Sequence, residues 1–404
     1  MNSNEELYAL WIMTVTENSP SAARRAARTF GTAKDVYEGG RSDFCGFREN
    51  TAELFMNKDL TAAKELAEKC RKLGIRVIPF SSPEMPDEVK KLENPPCVLF
   101  VKGTGVFSQT DVRVAIVGSR KATDLGRKIA SRLAYELSSA GVTVISGMAT
   151  GIDTAAHKGA LYEGKETFAF LGGGADVIYP KENAELYRRI TQNGAVVSEY
   201  LPSSSVQGFH FPERNRLLSA FSKAVIIVES DESGGSMRTA EHAKKQGVPV
   251  LAVPGPLDSA VSLGTNRLIK DGCPAVTCAD DVIDFLNSQY GMRLRIMKRL
   301  SSLAEKKEKE TEKKPEKPEK SEKSEKAEKQ QQKPEIKEIT EKDLSSLSDF
   351  EKAAYRLAEK RGSFSVDEVC EALGATFGEA FSAITDLEEK EFIIEAEAGR
   401  YRLK

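Results

Sequence analysis

Apolar residues recur at helical spacing over Leu7–Val15, Ser21–Phe30 and Thr61–Leu73, with Asn, Ser and Gly between the runs. Ser19-Pro20 suits the start of the second helix, because proline is tolerated in a first helical turn. Gly39-Gly40 interrupts the periodicity. Residues 1–74 are therefore expected to form a small helical domain with nothing catalytic in it. From Ile75 the pattern changes to short apolar, β-branched runs: 76–80, 97–103, 112–118, 142–147, 167–172, 195–200, 223–230, 248–255 and 274–278. Helical segments separate many of them, among them Gly126–Ala140, Asp153–Glu163, Asn183–Asn193, Thr239–Gln246 and Thr265–Asp271. Continuous apolar strands alternating with helices predict an α/β fold, a doubly wound, Rossmann-like parallel sheet covered on both faces, over residues 75–290.

A short basic amphipathic stretch, 293–300, follows. Residues 291–343 then read as a charged, disordered linker: about 26 of the 39 residues from Glu305 to Asp343 are charged, with signs balanced. Pro315, Pro318 and Pro334 argue against one continuous helix there. A core pattern returns over 344–404, with helices expected at Asp349–Arg361, Val366–Leu373 and Thr376–Lys390 and a final hairpin. Three helices and a wing fit a winged helix-turn-helix.

Composition narrows the function classes. The 404 residues carry 59 Lys+Arg against 61 Asp+Glu, a formal charge of −2. That excludes a globally basic nucleic-acid coat and leaves room only for a local patch. The six cysteines form no CxxC pair and have no His partner nearby, which fits reduced thiols and offers no zinc site. There is no run of about 18 apolar residues and no signal-peptide pattern, so a cytoplasmic protein without a membrane span is expected.

In an open parallel sheet the ligand lies beyond the carboxyl ends of the strands. The run ending at Val117 leads into Gly118-Ser119-Arg120-Lys121, where glycine permits close backbone approach and Arg120 offers a planar fork for phosphate. The next loop carries Gly147, Gly151, Asp153 and His157. The last two, four residues apart, could make an acid–base pair, but no nucleophile elbow exists and a structural role is the preferred reading. Gly172-Gly173-Gly174 leads to Lys181 and Asn183, with Val177 where a dinucleotide fingerprint needs its third glycine. Arg214, Asn215 and Arg216 bracket an expected helix start, and Arg267 and Lys270 follow in a further loop. Glycine with Arg or Lys in several loops at one sheet edge is an anion-site signal.

These segments resemble, in order and spacing, a known family. IVGSRKATDLGR (116–127), SGMATGIDTAAHKGAL (146–161), GGGADVIYPKEN (172–183), FPERNRLLS (211–219), the run 233–255 and GTNRLIKDG (264–272) are similar to the DprA/Smf family of DNA-processing proteins. The resemblance covers about Ile75 to Leu286. It implies a protein that binds and protects single-stranded DNA, helps load the recombinase RecA, and forms a homodimer through the Rossmann-like domain. It further implies no catalytic activity and no cofactor, a SAM-like N-terminal domain and a C-terminal winged helix. Carried onto this chain, Gly118-Ser119-Arg120 would grip phosphate, with Lys181 a second cationic contact and Asn215 and Arg216 lining the same pocket. Lys121, Gly147, Gly174, Asn183, Arg214 and Arg267 complete the expected set. Met237-Arg238 and the acidic Glu213 depart from the family's usual residues.

The C-terminal module is acidic: Glu379, Asp386, Glu388 and Glu389 against Lys390 on its expected recognition helix. That sign opposes a phosphate backbone and favours a protein-contact role. The competing reading is a nucleotide sensor or phosphoribohydrolase-like enzyme on the same fold, with GGSMRTAEHA as its phosphate loop and Glu241 as its carboxylate.

Overall fold

The computed structural model describes residues 3–16, 20–108, 111–292, 294, 347–375, 377–390, 392–397 and 400–404. They fall into two compact units, 1–296 and 297–404. Nearly all of the segment expected to be a linker, and most of the basic stretch 293–300, lies outside the described residues.

The first unit opens with helices α1 (Ser3–Val15), α2 (Pro20–Phe30), α3 (Ala33–Glu38), α4 (Glu49–Leu54) and α5 (Thr61–Leu73). Then follow β1 (Ile75–Pro79), α6 (Asp87–Lys90), β2 (Val98–Gly103), β3 (Arg113–Val117), α7 (Asp124–Ser139), β4 (Thr143–Ser146), α8 (Ile152–Ala160) and β5 (Thr167–Phe170). The remainder is α9 (Ala184–Asn193), β6 (Ala195–Ser198), α10 (His210–Ala220), β7 (Ala224–Ile227), α11 (Gly235–Lys245), β8 (Val250–Ala252), α12 (Leu263–Lys270) and α13 (Ala279–Tyr290).

Eight strands form one sheet in the order β1-β2-β6-β5-β4-β3-β7-β8. The six from β6 to β8 are parallel, whereas β1 pairs with β2, and β2 with β6, antiparallel. Alternation of strand and helix suggested a parallel sheet throughout. The connection from β1 to β2 holds only the four-residue α6, too little for the crossover that parallel neighbours need. The run at 274–278 makes a single bridge, Ala252 to Ala275, because Pro274 has no N–H to extend a ladder.

Strand β3 shows why the sheet is double-faced. All five of its residues are buried, with Val114 and Ile116 in one core beneath α7, α8 and α13, and Ala115 and Val117 in another beneath α10, α11 and α12. Helices α7 and α8 approach so closely that a Cβ on Gly159 would lie 2.1 Å from the Ser131 carbonyl oxygen. The N-terminal helices bury Trp11, Phe44 and Phe55 in a third core that also takes Ile75, Val98 and Phe100 from β1 and β2. Met292 and Leu294 also pack against the sheet, and Leu294 exchanges two hydrogen bonds with Asn287.

The second unit holds α14 (Asp349–Arg361), β9 (Phe364–Ser365), α15 (Val366–Leu373), α16 (Phe377–Glu389), β10 (Ile393–Glu397) and β11 (Arg400–Leu403). Its three strands run in the order β10-β11-β9. Ser348 with Glu351, and Ser365 with Glu368, form reciprocal capping boxes that start α14 and α15.

Candidate functional site

The chain leaves β3 for β4 on one side and, later, enters β7 on the other. The strand order therefore reverses between β3 and β7, and the crevice beyond their carboxyl ends is the ligand position for this topology. A cleft of about 610 Å³ occupies it. Its walls come from the turn Gly118–Lys121, the loop after β4, one side of α10 and the start of α11.

The turn after β3 is held from both sides by backbone. Ser119 N–H donates to the Glu229 carbonyl (2.7 Å), and Ile152 N–H donates to the Ser119 carbonyl (3.2 Å). A Cβ on Gly118 would sit 2.6 Å from the Ile152 side chain and 2.8 Å from the Glu229 carbonyl, so only glycine fits. Gly151 is in a left-handed conformation (φ +80°), and its Cβ would meet the Ser119 carbonyl oxygen at 2.3 Å. This rigid base projects Arg120 and Lys121, both exposed. The Arg120 guanidinium stacks 4.4 Å above the Phe211 ring, and among the described residues no carboxylate lies within ion-pair distance of it.

The cleft floor holds two buried side chains of opposite charge type, Arg214 and Asp153, each bonded to backbone groups and not to the other. Arg214 donates from Nη1 to the carbonyls of Gly147 and Phe170 and from Nε to Asn215 Oδ1 (3.2 Å). Burial pulls its pKa down to about 10, against the opposing attraction of Asp153. Asp153 Oδ2 accepts from the N–H groups of Gly147 (3.1 Å) and Ala149 (3.4 Å). Burial raises its pKa, while Arg214 and those amides restrain the rise. Gly147 lies between the two side chains, where a Cβ would come within 2.6 Å of Arg214 and 2.7 Å of Asp153. Arg120, Lys121, Arg214 and Arg238 line the cleft against Asp153 and Asp231, a surplus of positive charge in a near-neutral domain.

Of the residues expected from sequence, Gly118, Ser119, Arg120, Lys121, Arg214 and Asn215 meet in this cleft. Arg214, Asn215 and Arg216, expected to bracket a helix start, fall instead in the middle of α10 and are buried. The remaining residues stand outside the cleft lining. Arg216 turns away from the cleft to Glu199. Asn183 is buried and braces the loop after β4, donating to the Met148 carbonyl and to Thr154 Oγ1, each at 2.9 Å. Gly174 N–H holds the Ser204 carbonyl (2.9 Å), with no room for a side chain. Lys181 is exposed outside the cleft lining, and Arg267 is exposed on α12 with Asp271 3.9 Å away. His157 is fully buried against β5, inside the sheet, and its pKa is depressed to about 3 by burial, so Asp153 and His157 do not present a joint acid–base face. Glu241 is exposed on α11 and lies outside the cleft lining.

Sequence reasoning missed Phe211, Arg238, Asp231 and Glu229 as shapers of the site. The carboxylate of Glu229 accepts from the Thr123 N–H (2.8 Å) and hydroxyl (2.5 Å), and so fills the anion position at the start of α7. The available signal was an acid directly after an apolar, fully buried strand. Among the described residues no group of three His, Cys, Asp or Glu is placed to hold a metal, and no helix is long and apolar enough to cross a membrane.

Comparison with known proteins agrees with this architecture. The family model described as DNA recombination-mediator protein A matches residues 76–287. The DNA processing protein DprA of Bacillus subtilis is 36% identical over 223 residues, spanning 54% of this chain and 75% of that protein. Its counterpart in Streptococcus pneumoniae is 37% identical over 198 residues, 49% of this chain and 70% of that protein. The crystal structure of DprA from Streptococcus pneumoniae superposes with a TM-score of 0.60 at 28% identity, covering 68% of this chain and 97% of the other. With six parallel strands in its eight-stranded sheet, its switch-point cleft and a family match across more than half its length, the chain belongs to the DNA recombination-mediator protein A family, the DprA/Smf proteins.

Proposed function

We propose that this protein binds single-stranded DNA in the switch-point cleft and acts as a non-catalytic recombination mediator that protects the strand and passes it to RecA. The observation that carries the reading is Arg120: a guanidinium with no carboxylate partner among the described residues, stacked on Phe211 at the mouth of a cleft with surplus positive charge. A cation fixed over an aromatic ring offers both phosphate attraction and a stacking surface, the two interactions by which a single strand is held without base-edge readout. Lys121 and Arg238 extend the cationic rim. Lys181 and Arg267 then serve the strand beyond the cleft, while Gly147, Gly174 and Asn183 shape the loops around it.

The same reading divides the chain into a SAM-like helical domain (1–74), the Rossmann-like domain (75–290), a charged linker (291–343) and a winged helix (344–404). It takes the homodimer to form through the Rossmann-like domain, the acidic winged helix to contact protein, and the protein to work in the cytoplasm without a cofactor. The test is fluorescence anisotropy with oligo-dT and with duplex of equal length across a salt series. Preference for the single strand, with affinity falling steeply as salt rises, is expected. Equal binding of both forms, or salt-independent binding, defeats the proposal.

A further inference from the structure

Helix α10 supplies Phe211, Arg214 and Asn215 to the cleft, and its opposite side is tied to α2 by a network of charge that is buried except at the half-exposed Glu213. Arg24, on α2, donates from Nε to Glu199 Oε1 (2.8 Å) and from Nη2 to Glu199 Oε2 (3.1 Å) and to Glu213 Oε2 (2.6 Å). Glu199 follows the end of β6, and Glu213 lies on α10 itself. Arg216, one turn from Glu213 on α10, also donates from Nη2 to both oxygens of Glu199. The side chains of Arg24, Glu199 and Arg216 are each at most 10% exposed. A single carboxylate thus serves two guanidiniums that come from different parts of the fold.

The network is under-satisfied on one side. Nε and Nη1 of Arg216 are buried with no hydrogen-bond partner. If Arg24 let go, Glu199 would be free to turn and meet those donors, and α10 would settle in a different pose. A cavity of about 510 Å³, lined by Met13, Arg24, Glu199 and His210, leaves space for that rearrangement. Leu217, Leu218 and Ala220 anchor the later part of α10 in the core, so the charge-assisted bonds, whose planar geometry is specific, act on the direction of its first turns, where Phe211 and Glu213 stand.

We propose that Arg24 is a positioning residue for the cleft: through Glu199 and Glu213 it holds α10 in the pose that aims Phe211 and Arg214 at the bound strand. The N-terminal helices thereby act on DNA affinity without touching DNA. The statement about affinity rests on the single-strand reading above; the statement about α10 does not.

The test uses full-length protein and the variants Glu213→Gln, Arg24→Gln and Arg24→Lys, with two readouts: hydrogen exchange of the α10 amides and anisotropy with oligo-dT. Glu213→Gln is decisive because removing a negative charge near a polyanion site raises affinity by simple electrostatics. Positioning predicts the opposite sign, a loss of about fivefold or more, together with faster exchange in α10 and unchanged exchange in α7. Arg24→Lys, with one point charge in place of the fork, restores only part of what Arg24→Gln loses. Unchanged α10 exchange with unchanged or tighter oligo-dT binding in Glu213→Gln overturns the proposal. If wild-type protein does not bind oligo-dT, the functional reading falls, and the exchange data still decide whether Arg24 holds α10.

Discussion

Glu229, just beyond the carboxyl end of β7, caps helix α7 by accepting from both the backbone N–H and the hydroxyl of Thr123. Thr123 Oγ1 in turn accepts from the Gly126 N–H (2.9 Å), and a Cβ on Gly126 would lie 2.3 Å from the Glu229 carboxyl carbon. In a dinucleotide-binding sheet the start of this helix receives a phosphate. Here a carboxylate of the chain itself takes that place, and two exposed cations, Arg120 and Lys121, stand just before it in the chain.

Replacing Glu229 by Ala removes two bonds from an N-cap and leaves Thr123 N–H under-served. The expected loss is about 1–3 kcal/mol of unfolding free energy, read as a lower urea midpoint. An unaltered midpoint would show that water replaces the carboxylate at no cost.

Arg120→Ala removes an exposed side chain, so stability should stay within about 0.5 kcal/mol of wild type. Affinity for oligo-dT should drop, and the slope of log affinity against log salt should shrink by about 0.7, the share of one phosphate contact on a single strand. A parallel salt plot would mean that Arg120 touches no phosphate.

His157 predicts a pH dependence of stability. Thr167 Oγ1 donates to the Val144 carbonyl (2.6 Å) and so accepts from His157 Nδ1 (2.9 Å), which leaves the buried ring neutral with Nε2 unpartnered. Burial, aided by the nearby Arg214 charge, lowers the folded pKa from 6.5 to about 3. The unfolded chain takes up a proton near pH 6.5 and the folded chain does not. The stabilisation is therefore complete above pH 6.5 and is lost as pH falls towards 3, at about 1 kcal/mol per unit. Urea midpoints between pH 7 and 5 should fall in wild type and fall less in His157→Gln; equal slopes would refute the assignment.

Deleting residues 344–404 removes eight basic and thirteen acidic side chains. Losing net negative charge should leave oligo-dT affinity within about twofold of wild type, or slightly tighter. A tenfold loss in anisotropy would assign the module a direct share of DNA binding.

The alternation of apolar runs and helices, legible residue by residue, determined the α/β sheet, the helices that flank it and the three helices of the C-terminal module. Burial on both faces demands such runs whatever the tertiary detail. The turn at Gly118–Lys121 was legible for a similar reason: close backbone approach restricts the residue type locally. Strand direction at the edge was not legible, since β1 and β2 have the same composition in either orientation. Nor was the division of labour within Arg214-Asn215-Arg216. Three consecutive polar residues look alike in sequence, yet on a helix they point about 100° apart, so Arg214 reaches the cleft floor and Arg216 reaches Glu199. The partners that decide these roles, Gly147 and Phe170 for Arg214 and Glu199 with Arg24 for Arg216, lie in other segments of the chain. Only the folded sheet brings them together, and charge compensation in a buried site depends on that proximity rather than on order along the chain.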